Sequence, residues 1–241
     1  MGADILRLWV ASTDYTSEMR ISDQILKRNG DTYRRIRNTT RFLLSNLGDF
    51  NPDKHSIDYS DMLLLDQWIM NRLSVINQSI QTDYEEYSFH RIIQTLHNFC
   101  VNDMGGFYLD IIKDRLYTMP ANSKGRRSAQ TVLLHIAESL VRWIAPVLSF
   151  TAEEIWQLLP RRQVPSVFLS EWHDIVATND NNDYEMILDL NEVAAKALEV
   201  ARDQKIIGSP LDADLTLYTS KELTEFLEPF ADELRFLFIT S

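Results

Sequence analysis

A single cysteine, Cys100, occurs in this chain of 241 residues, and glycine and proline occur only seven times each. One cysteine excludes an internal disulfide and a zinc site built from several thiolates, so we expect a reducing, cytoplasmic environment. The scarcity of glycine and proline argues against a turn-rich β-sandwich or barrel and favours long helices. The longest uncharged apolar stretch, Trp143–Thr151, is far below the roughly 20 residues of a transmembrane helix, and no basic-then-apolar leader opens the sequence. We therefore expect no membrane association.

The formal net charge is −11 at pH 7, but the acidic excess is confined to one part of the sequence. Residues 1–163 contain 19 basic and 19 acidic side chains, whereas residues 164–241 contain five and 16. Basic residues are concentrated at Met1–Arg41, with eight basic against five acidic, and at Lys113–Arg127, with five against one. The net charge of the whole chain is therefore no argument against a nucleic-acid partner for the first two thirds.

Apolar residues recur at intervals of three and four before residue 160, which predicts a bundle of helices. Ser22 has the position of an N-cap for a helix that runs to about Leu47. The stretch Thr151-Ala-Glu-Glu154 has capping-box spacing, so a short helix is expected to begin there and to end before Pro160. Further helices are expected over 61–80, 83–99 with a continuation to about 117, and 126–147.

Residues 164–241 differ in pattern and predict a small acidic α/β unit. Strands are expected at 166–170, 212–218 and 235–239, helices at 184–204 and 222–234, and a loop at 179–183. The expected fold class is therefore mainly α, with a helical bundle followed by this α/β unit. We divide the chain into an N-terminal segment at 1–22, the bundle at 23–163 and the α/β unit at 164–241.

The clearest chemical pattern is the stretch Tyr33-Arg-Arg-Ile-Arg-Asn-Thr-Thr-Arg-Phe-Leu-Leu44. On a helical wheel with Arg34 at 0°, Arg37 lies at about −60° and Arg41 at about −20°, and we call these three residues the arginine ridge. The apolar residues lie opposite, at about 180° to 220°: Ile36, Leu43 and Leu47. Such a ridge suits a phosphate backbone, because each guanidinium can donate two hydrogen bonds to anionic oxygens and stays charged at cellular pH. A solvated face that pairs with nearby carboxylates is the alternative that spacing alone leaves open.

A second basic cluster lies beside aromatic residues of the same region. Its members are Lys113, Arg115, Lys124, Arg126 and Arg127, and the aromatic residues are Phe107, Tyr108 and Tyr117. Aromatic faces stack on unpaired bases, so this cluster is a second candidate nucleic-acid surface. The alternative is a bundle helix whose aromatic side chains belong to the core.

The sequence contains no complete catalytic or metal-binding constellation. His90 and His97 are seven residues apart, but no carboxylate or cysteine completes a ligand set there. Cys100 is expected to be a small buried apolar residue and not a nucleophile. No glycine-rich phosphate loop, nucleophile elbow or Cys-x-x-Cys motif is found.

Several blocks resemble the bacterial isoleucyl-tRNA synthetases, which are class I aminoacyl-tRNA synthetases. The opening Gly2-Ala-Asp-Ile-Leu-Arg-Leu-Trp-Val-Ala-Ser-Thr-Asp-Tyr-Thr16 and the block Arg35-Ile-Arg-Asn-Thr39 resemble the region that follows the catalytic domain of that family. The blocks Phe107–Tyr117 and Pro146–Trp156 are similar to its later motifs. The resemblance runs in order over essentially the whole chain.

The resemblance implies a piece of a longer enzyme that joins isoleucine to its tRNA with ATP and magnesium. The His-Ile-Gly-His and Lys-Met-Ser-Lys-Ser signatures of the family's catalytic domain do not occur in this sequence, and neither does its editing domain. A C-terminal zinc module is expected for the parent enzyme. The chain alone is expected to hold no cofactor and to have no ligase activity.

The resemblance also implies a role for each part of the chain. Residues 1–22 would be a stem-contact segment and 23–163 a helical anticodon-binding domain. The expected tRNA-binding residues are Arg34, Arg35, Arg37, Asn38, Arg41, Lys113, Arg115, Arg126 and Arg127, with Asp14, Tyr15 and Arg20 in the stem-contact segment. The expected partners are an isoleucine-accepting tRNA and the catalytic domain in cis, and we expect a monomer. A helical protein-interaction scaffold with no nucleic-acid partner is the alternative function.

Overall fold

A computed structural model describes residues 2–177, 184–231 and 233–238, and in these ranges all regular structure is helical. This confirms the mainly α fold class. The α-helices are α1 (Ala3–Ala11), α2 (Asp23–Ser45), α3 (Pro52–His55), α4 (Leu64–Glu85), α5 (Phe89–Asn98), α6 (Leu109–Ile111), α7 (Lys113–Thr118), α8 (Lys124–Ile144), α9 (Ser149–Trp156), α10 (Tyr184–Asp203), α11 (Lys221–Leu227) and α12 (Leu234–Leu237).

The long helices of the bundle follow the predicted pattern with one interruption. Ser22 caps α2, because its hydroxyl oxygen accepts a hydrogen bond of 3.2 Å from the backbone N–H of Ile25. Instead of one continuous helix over 83–117, α5 is followed by a π-helical segment, Phe99–Tyr108, and then by α6 and α7. π-Helical geometry widens the turn, so the helix face rotates between α5 and α7.

The start of α9 differs from the capping-box expectation. The helix begins at Ser149, so Thr151 lies in its first turn and not at the N-cap. The backbone N–H of Thr151 donates to the Asp4 carboxylate of α1 at 2.9 Å, and the Thr151 hydroxyl donates to the same oxygen at 2.5 Å. The cap of α9 is therefore the Asp4 carboxylate, which lies 147 residues earlier in the chain, and not the Thr151 hydroxyl that the sequence pattern predicted.

The three strands expected within 164–241 are wrong for the residues that the structure describes. The segment Val167–Leu169 is one turn of 3₁₀-helix, and the last expected strand is replaced by α12. The segment 213–218 is irregular, yet its side chains alternate as predicted: Ala213 is buried, Leu215 and Leu217 pack against the core, and the residues between them are exposed. The predicted alternation of buried and exposed side chains is therefore confirmed for this segment. The predicted strand is not formed, because no neighbouring strand among the described residues pairs with it. The loop expected at 179–183 lies outside the described residues.

One hydrophobic cluster connects the bundle with residues 164–241. It extends from Leu8 in α1 to Phe238, and it includes Val167 and Ile187 from the acidic part. Polar contacts reinforce this packing, since the Glu233 carboxylate accepts hydrogen bonds of 3.1 and 3.3 Å from the first two backbone N–H groups of α4. The C-terminal region thus caps a bundle helix.

Candidate nucleic-acid interface

The two faces of α2 are arranged as the helical wheel predicts. Arg34, Arg37 and Arg41 are exposed, whereas Ile36 and Leu43 on the opposite side are 1% and 0% exposed. The burial of the apolar stripe holds the helix in a fixed rotation about its axis, so the ridge must face solvent. Two further residues named from the resemblance are also exposed on this helix, Arg35 and Asn38.

The ion pairs of the ridge bear on the two interpretations that the spacing left open. Arg34 forms an ion pair with Asp31, one turn earlier in α2. Within the described part of the chain, no carboxylate lies within ion-pair distance of Arg35, Arg37 or Arg41. A face that is neutralised by its own carboxylates would pair most of its arginines. The geometry therefore favours a surface with free cationic groups, as an anionic partner requires.

Lys27 extends the same surface and is absent from the sequence-based set. It is exposed on α2 and lies seven residues before Arg34, at about +20° on the same wheel. At 1.5 Å per residue, Lys27 and Arg41 are about 21 Å apart along the helix axis. The helical wheel would have identified Lys27 if it had been extended two turns toward the N-terminus.

The structure corrects the assignment of Arg115 to a tRNA surface. Its side chain is 1% exposed and makes two hydrogen bonds, at 3.0 and 3.2 Å, to the two carboxylate oxygens of Asp66 in α4. The same carboxylate accepts hydrogen bonds from the hydroxyls of Tyr108 and Ser128. A buried guanidinium needs such a carboxylate partner, and here the pair holds α4, α7 and α8 together.

Arg126 and Arg127 are also structural. Both contact the carboxylate of Asp49, at 2.7 and 3.3 Å, and their side chains are only 18% and 8% exposed. Burial acts to raise the pKa of Asp49, but the hydrogen bonds from Arg126 and Gln130 lower it overall. These residues clamp the N-terminus of α8 to the segment after α2. The second basic cluster is thus divided into buried or partly buried structural arginines and a smaller exposed part.

The exposed part of the second cluster consists of Lys113, Lys124 and the ring of Tyr117, which is 64% exposed. Lys113 pairs with Asp110. The other two aromatic residues, Phe107 and Tyr108, are 3% and 0% exposed and belong to the core. The alternative of bundle packing therefore holds for most of this cluster, because its helices have to bury their apolar faces.

The N-terminal segment presents its three named residues to solvent. The Asp14 carboxylate accepts hydrogen bonds from the backbone N–H and the hydroxyl of Thr16, which lower its pKa and close a tight turn. Tyr15 is 53% exposed, and Arg20 pairs with Glu18 at the surface. Their contact with a tRNA stem remains a prediction.

No candidate metal centre is formed by the residues in the described ranges. They contain no group of three His, Cys, Asp or Glu side chains that could hold a metal ion. Cys100 is buried, and burial raises the pKa of its thiol to about 12, which confirms the expected apolar role. None of the helices over the same ranges has both the length and the apolar composition needed to cross a membrane.

The chain is similar to known proteins over its whole length. Residues 66–217 match the family described as the anticodon-binding domain of tRNA ligase. All of this chain aligns with isoleucine–tRNA ligases from Ruthia magnifica at 50% identity, Nitrosococcus oceani at 53% and Aeromonas salmonicida at 52%. The chain spans 26% of the length of each of these relatives. The arginine ridge precedes the family match but lies within the aligned part of every relative named here. With more than half of its residues in the family match, the chain belongs to the anticodon-binding domain family of tRNA ligases.

Proposed function

We propose that this chain is the tRNA-binding part of an isoleucine–tRNA ligase, and that α2 contacts the anticodon stem-loop through its phosphates. The observation that carries the proposal is the exposed arginine ridge, in which Arg37 and Arg41 have no carboxylate partner among the described residues. The names of the relatives supply the isoleucine-accepting tRNA as the partner.

In this proposal the ridge acts as a positioning surface. Arg37 and Arg41 donate hydrogen bonds to phosphate oxygens, and the Asn38 amide between them donates or accepts at the neighbouring sugar or phosphate. Arg35 contacts the backbone from the side of the ridge, and Arg34 does so after releasing Asp31. We leave Arg115, Arg126 and Arg127 out of this surface, because Asp66 and Asp49 hold them.

The whole protein would attach isoleucine to tRNA in the cytoplasm with ATP and magnesium. That chemistry would reside in a part of the protein other than these 241 residues, and the described residues offer no metal-binding group for magnesium or zinc. Residues 1–22 would be the stem-contact segment and 23–163 the anticodon-binding domain. Residues 164–241 would pack on that domain and stabilise it. We propose a monomer that works with the catalytic domain in cis.

The test is a salt titration of the 241-residue chain with a fluorescently labelled isoleucine tRNA anticodon stem-loop. Affinity should fall as salt rises from 50 to 200 mM, because each phosphate contact releases counterions. Arg37→Glu should weaken binding by about 1–3 kcal/mol. It should also reduce the slope of log K against log salt by about one, which corresponds to the loss of one phosphate contact. Lys221→Glu, the same charge reversal on exposed α11, is the matched control and should bind as wild type.

Two results would contradict the proposal. In the first, the Arg37→Glu variant binds the stem-loop with wild-type affinity while the Lys221→Glu variant loses binding, which would show that the docking face is the acidic region. In the second, the chain binds an acidic protein that has the same net charge as the stem-loop but does not bind the stem-loop itself. That result would favour the protein-interaction scaffold.

A further inference from the structure

The apolar face of α10 is wider than its contact with the rest of the protein. With Val193 at 0° on a helical wheel, the buried residues Ile187, Ala194 and Leu198 lie at about 100° to 140°. A second group of apolar residues, which we call the outer seam, lies at about −20° to 60°: Met186, Leu190, Val193, Ala197 and Val200. One side of the apolar face therefore packs on the hydrophobic core, whereas most of the outer seam faces solvent.

The outer seam is exposed and has the spacing of a coiled-coil surface. Val193 is 67% exposed, Val200 54% and Met186 42%. Ala197 is exposed as well, and Leu190 is half-buried at the boundary with the core. From Leu190 onward the apolar residues recur at intervals of three, four and three, which is the pattern by which one helix packs against another along a narrow seam. Met186 and Val200 are about 21 Å apart along the axis, which matches about four turns of a partner helix.

Acidic side chains flank the outer seam on the side away from the core. Asp189 and Asp203 lie at about −40° and −80° on the same wheel and are exposed, and neither has a basic partner within the described part of the chain. The lysine on this flank, Lys196, is already paired with Glu192. Residues 164–241 contain 16 acidic and five basic side chains. The outer seam is thus an apolar strip with a negative border.

The charge of this border discriminates among candidate occupants. A second copy of the chain would bring two negative borders to the same seam, and like charges at a helix interface repel. A nucleic-acid backbone would also be repelled by the border, and it would leave the valines uncovered. A helix with its own apolar seam, and with lysine or arginine beside that seam, covers the apolar residues and pairs with the carboxylates.

We propose that the outer seam of α10 binds a basic amphipathic helix of a separate protein. The partner's apolar side chains pack between Val193 and Val200, where the small side chain of Ala197 leaves room for a residue of the size of leucine. Basic residues beside the partner's seam form ion pairs with Asp189 and Asp203. This surface lies on α10 and not on α2, so the inference does not depend on the proposed contact with tRNA.

The experiment measures the binding of a designed peptide to the 241-residue chain by fluorescence anisotropy at low salt. The probe is a fluorescein-labelled helix of three heptads with leucine at both seam positions, lysine beside them and alanine or glutamine elsewhere. Wild type should bind the peptide with one-to-one stoichiometry. Val193→Ser combined with Val200→Ser keeps the charge of the chain but removes two apolar side chains from the seam, so it should bind about tenfold more weakly. The matched control makes the same change at two exposed valines elsewhere, Val10→Ser and Val176→Ser, and should bind as wild type.

A charge exchange tests the acidic border separately. Replacement of the peptide's lysines by glutamate should abolish binding to wild type. Asp189→Lys combined with Asp203→Lys should restore measurable binding of the glutamate peptide and weaken the binding of the lysine peptide, because the border then has the opposite charge. Circular dichroism checks that each variant keeps the helical content of wild type.

The inference is overturned if wild type does not bind the lysine peptide. It is also overturned if the variant with serine at both seam valines binds as tightly as wild type, since the attraction would then be due to charge alone. A dimer in analytical ultracentrifugation that the same variant dissociates would show that a second copy covers the seam. Binding to the chain, but not to the full-length ligase of the proposed function, would show that another part of the same protein covers it. All of these results leave stem-loop binding, and hence the proposed function, unaffected.

Discussion

The Asp4 carboxylate accepts two hydrogen bonds from Thr151, which lies 147 residues further along the chain. One comes from the backbone N–H in the first turn of α9 and the other from the hydroxyl, which in turn contacts the Tyr33 hydroxyl of α2 at 3.0 Å. Asp4 is 7% exposed. This contact joins α1, α2 and α9.

Loss of this carboxylate should destabilise the fold. We expect Asp4→Ala to lower the free energy of unfolding by about 1–3 kcal/mol, because it leaves a buried backbone N–H and a hydroxyl without an acceptor. Urea unfolding followed by circular dichroism measures the change. Glu18→Ala, which removes an exposed carboxylate from the same region, should be close to neutral. Equal stability of Asp4→Ala and wild type would refute the capping role.

Arg115 should prove structural when it is replaced. Arg115→Ala leaves the buried Asp66 carboxylate without its cationic partner, so we expect a loss of about 3–5 kcal/mol in unfolding free energy. The double variant Arg115→Met with Asp66→Asn removes both charges and keeps an oxygen acceptor for the Tyr108 and Ser128 hydroxyls, so it should recover part of that loss.

A surface role for Arg115 makes the opposite prediction. In that case Arg115→Met alone would keep wild-type stability and would weaken stem-loop binding. Urea unfolding and fluorescence anisotropy on the same protein samples distinguish the two cases.

The stability of the fold should decrease as the pH falls from 7 to 5. His135 Nδ1 lies 3.0 Å from His173 Nε2, and burial, with the nearby charges of His135 and Arg142, lowers the pKa of His173 to about 3. Burial lowers the pKa of His135 as well. In the unfolded chain a histidine has a pKa of about 6.5, so the unfolded state binds more protons throughout this window and acid favours unfolding.

His173 alone should account for a decrease of about 2 kcal/mol in unfolding free energy between pH 7 and pH 5. His173→Gln should show a smaller pH slope, measured by urea unfolding at pH 7, 6 and 5. Val176→Ala, which removes an exposed side chain without a titrating group from the same segment, should keep the wild-type slope. A pH slope that is identical in wild type and His173→Gln would contradict this assignment.

The chain alone should not activate isoleucine. Its sequence lacks the His-Ile-Gly-His and Lys-Met-Ser-Lys-Ser signatures, which supply the ATP-binding groups in the family that it resembles. Isoleucine-dependent exchange of pyrophosphate into ATP should stay at the background without enzyme, with a full-length isoleucine–tRNA ligase as the positive control. Exchange above that background from the pure chain would overturn the division of labour that we propose.

The arrangement of α2 could be predicted from the sequence because it depends on local periodicity. Helical geometry places Ile36 and Leu43 opposite Arg37 and Arg41, and burial of the first pair determines the exposure of the second. The N-cap at Ser22 is local in the same sense, since its acceptor and donor lie three residues apart. The buried position of Cys100 was also predicted, because a free cysteine usually behaves as a small apolar residue.

The role of each cation in the second cluster could not be predicted in this way. Arg115 and Lys113 are two residues apart in one helix, yet the first is buried against Asp66 and the second is exposed. The difference arises because Asp66, 49 residues earlier, meets α7 only in the folded bundle. A charge pattern along the chain contains no information about which carboxylate will reach which guanidinium.

Local sequence patterns are sufficient to predict the helical fold class, the two faces of α2 and the alternation over 213–218, because each depends on neighbours within a few residues. Three other features could not be predicted: the alternating segment packs on the core without pairing into a sheet, Asp4 caps α9, and Arg37 and Arg41 border a cavity with Leu158. These features depend on contacts between segments that are distant in the chain, and such contacts exist only after the bundle has packed.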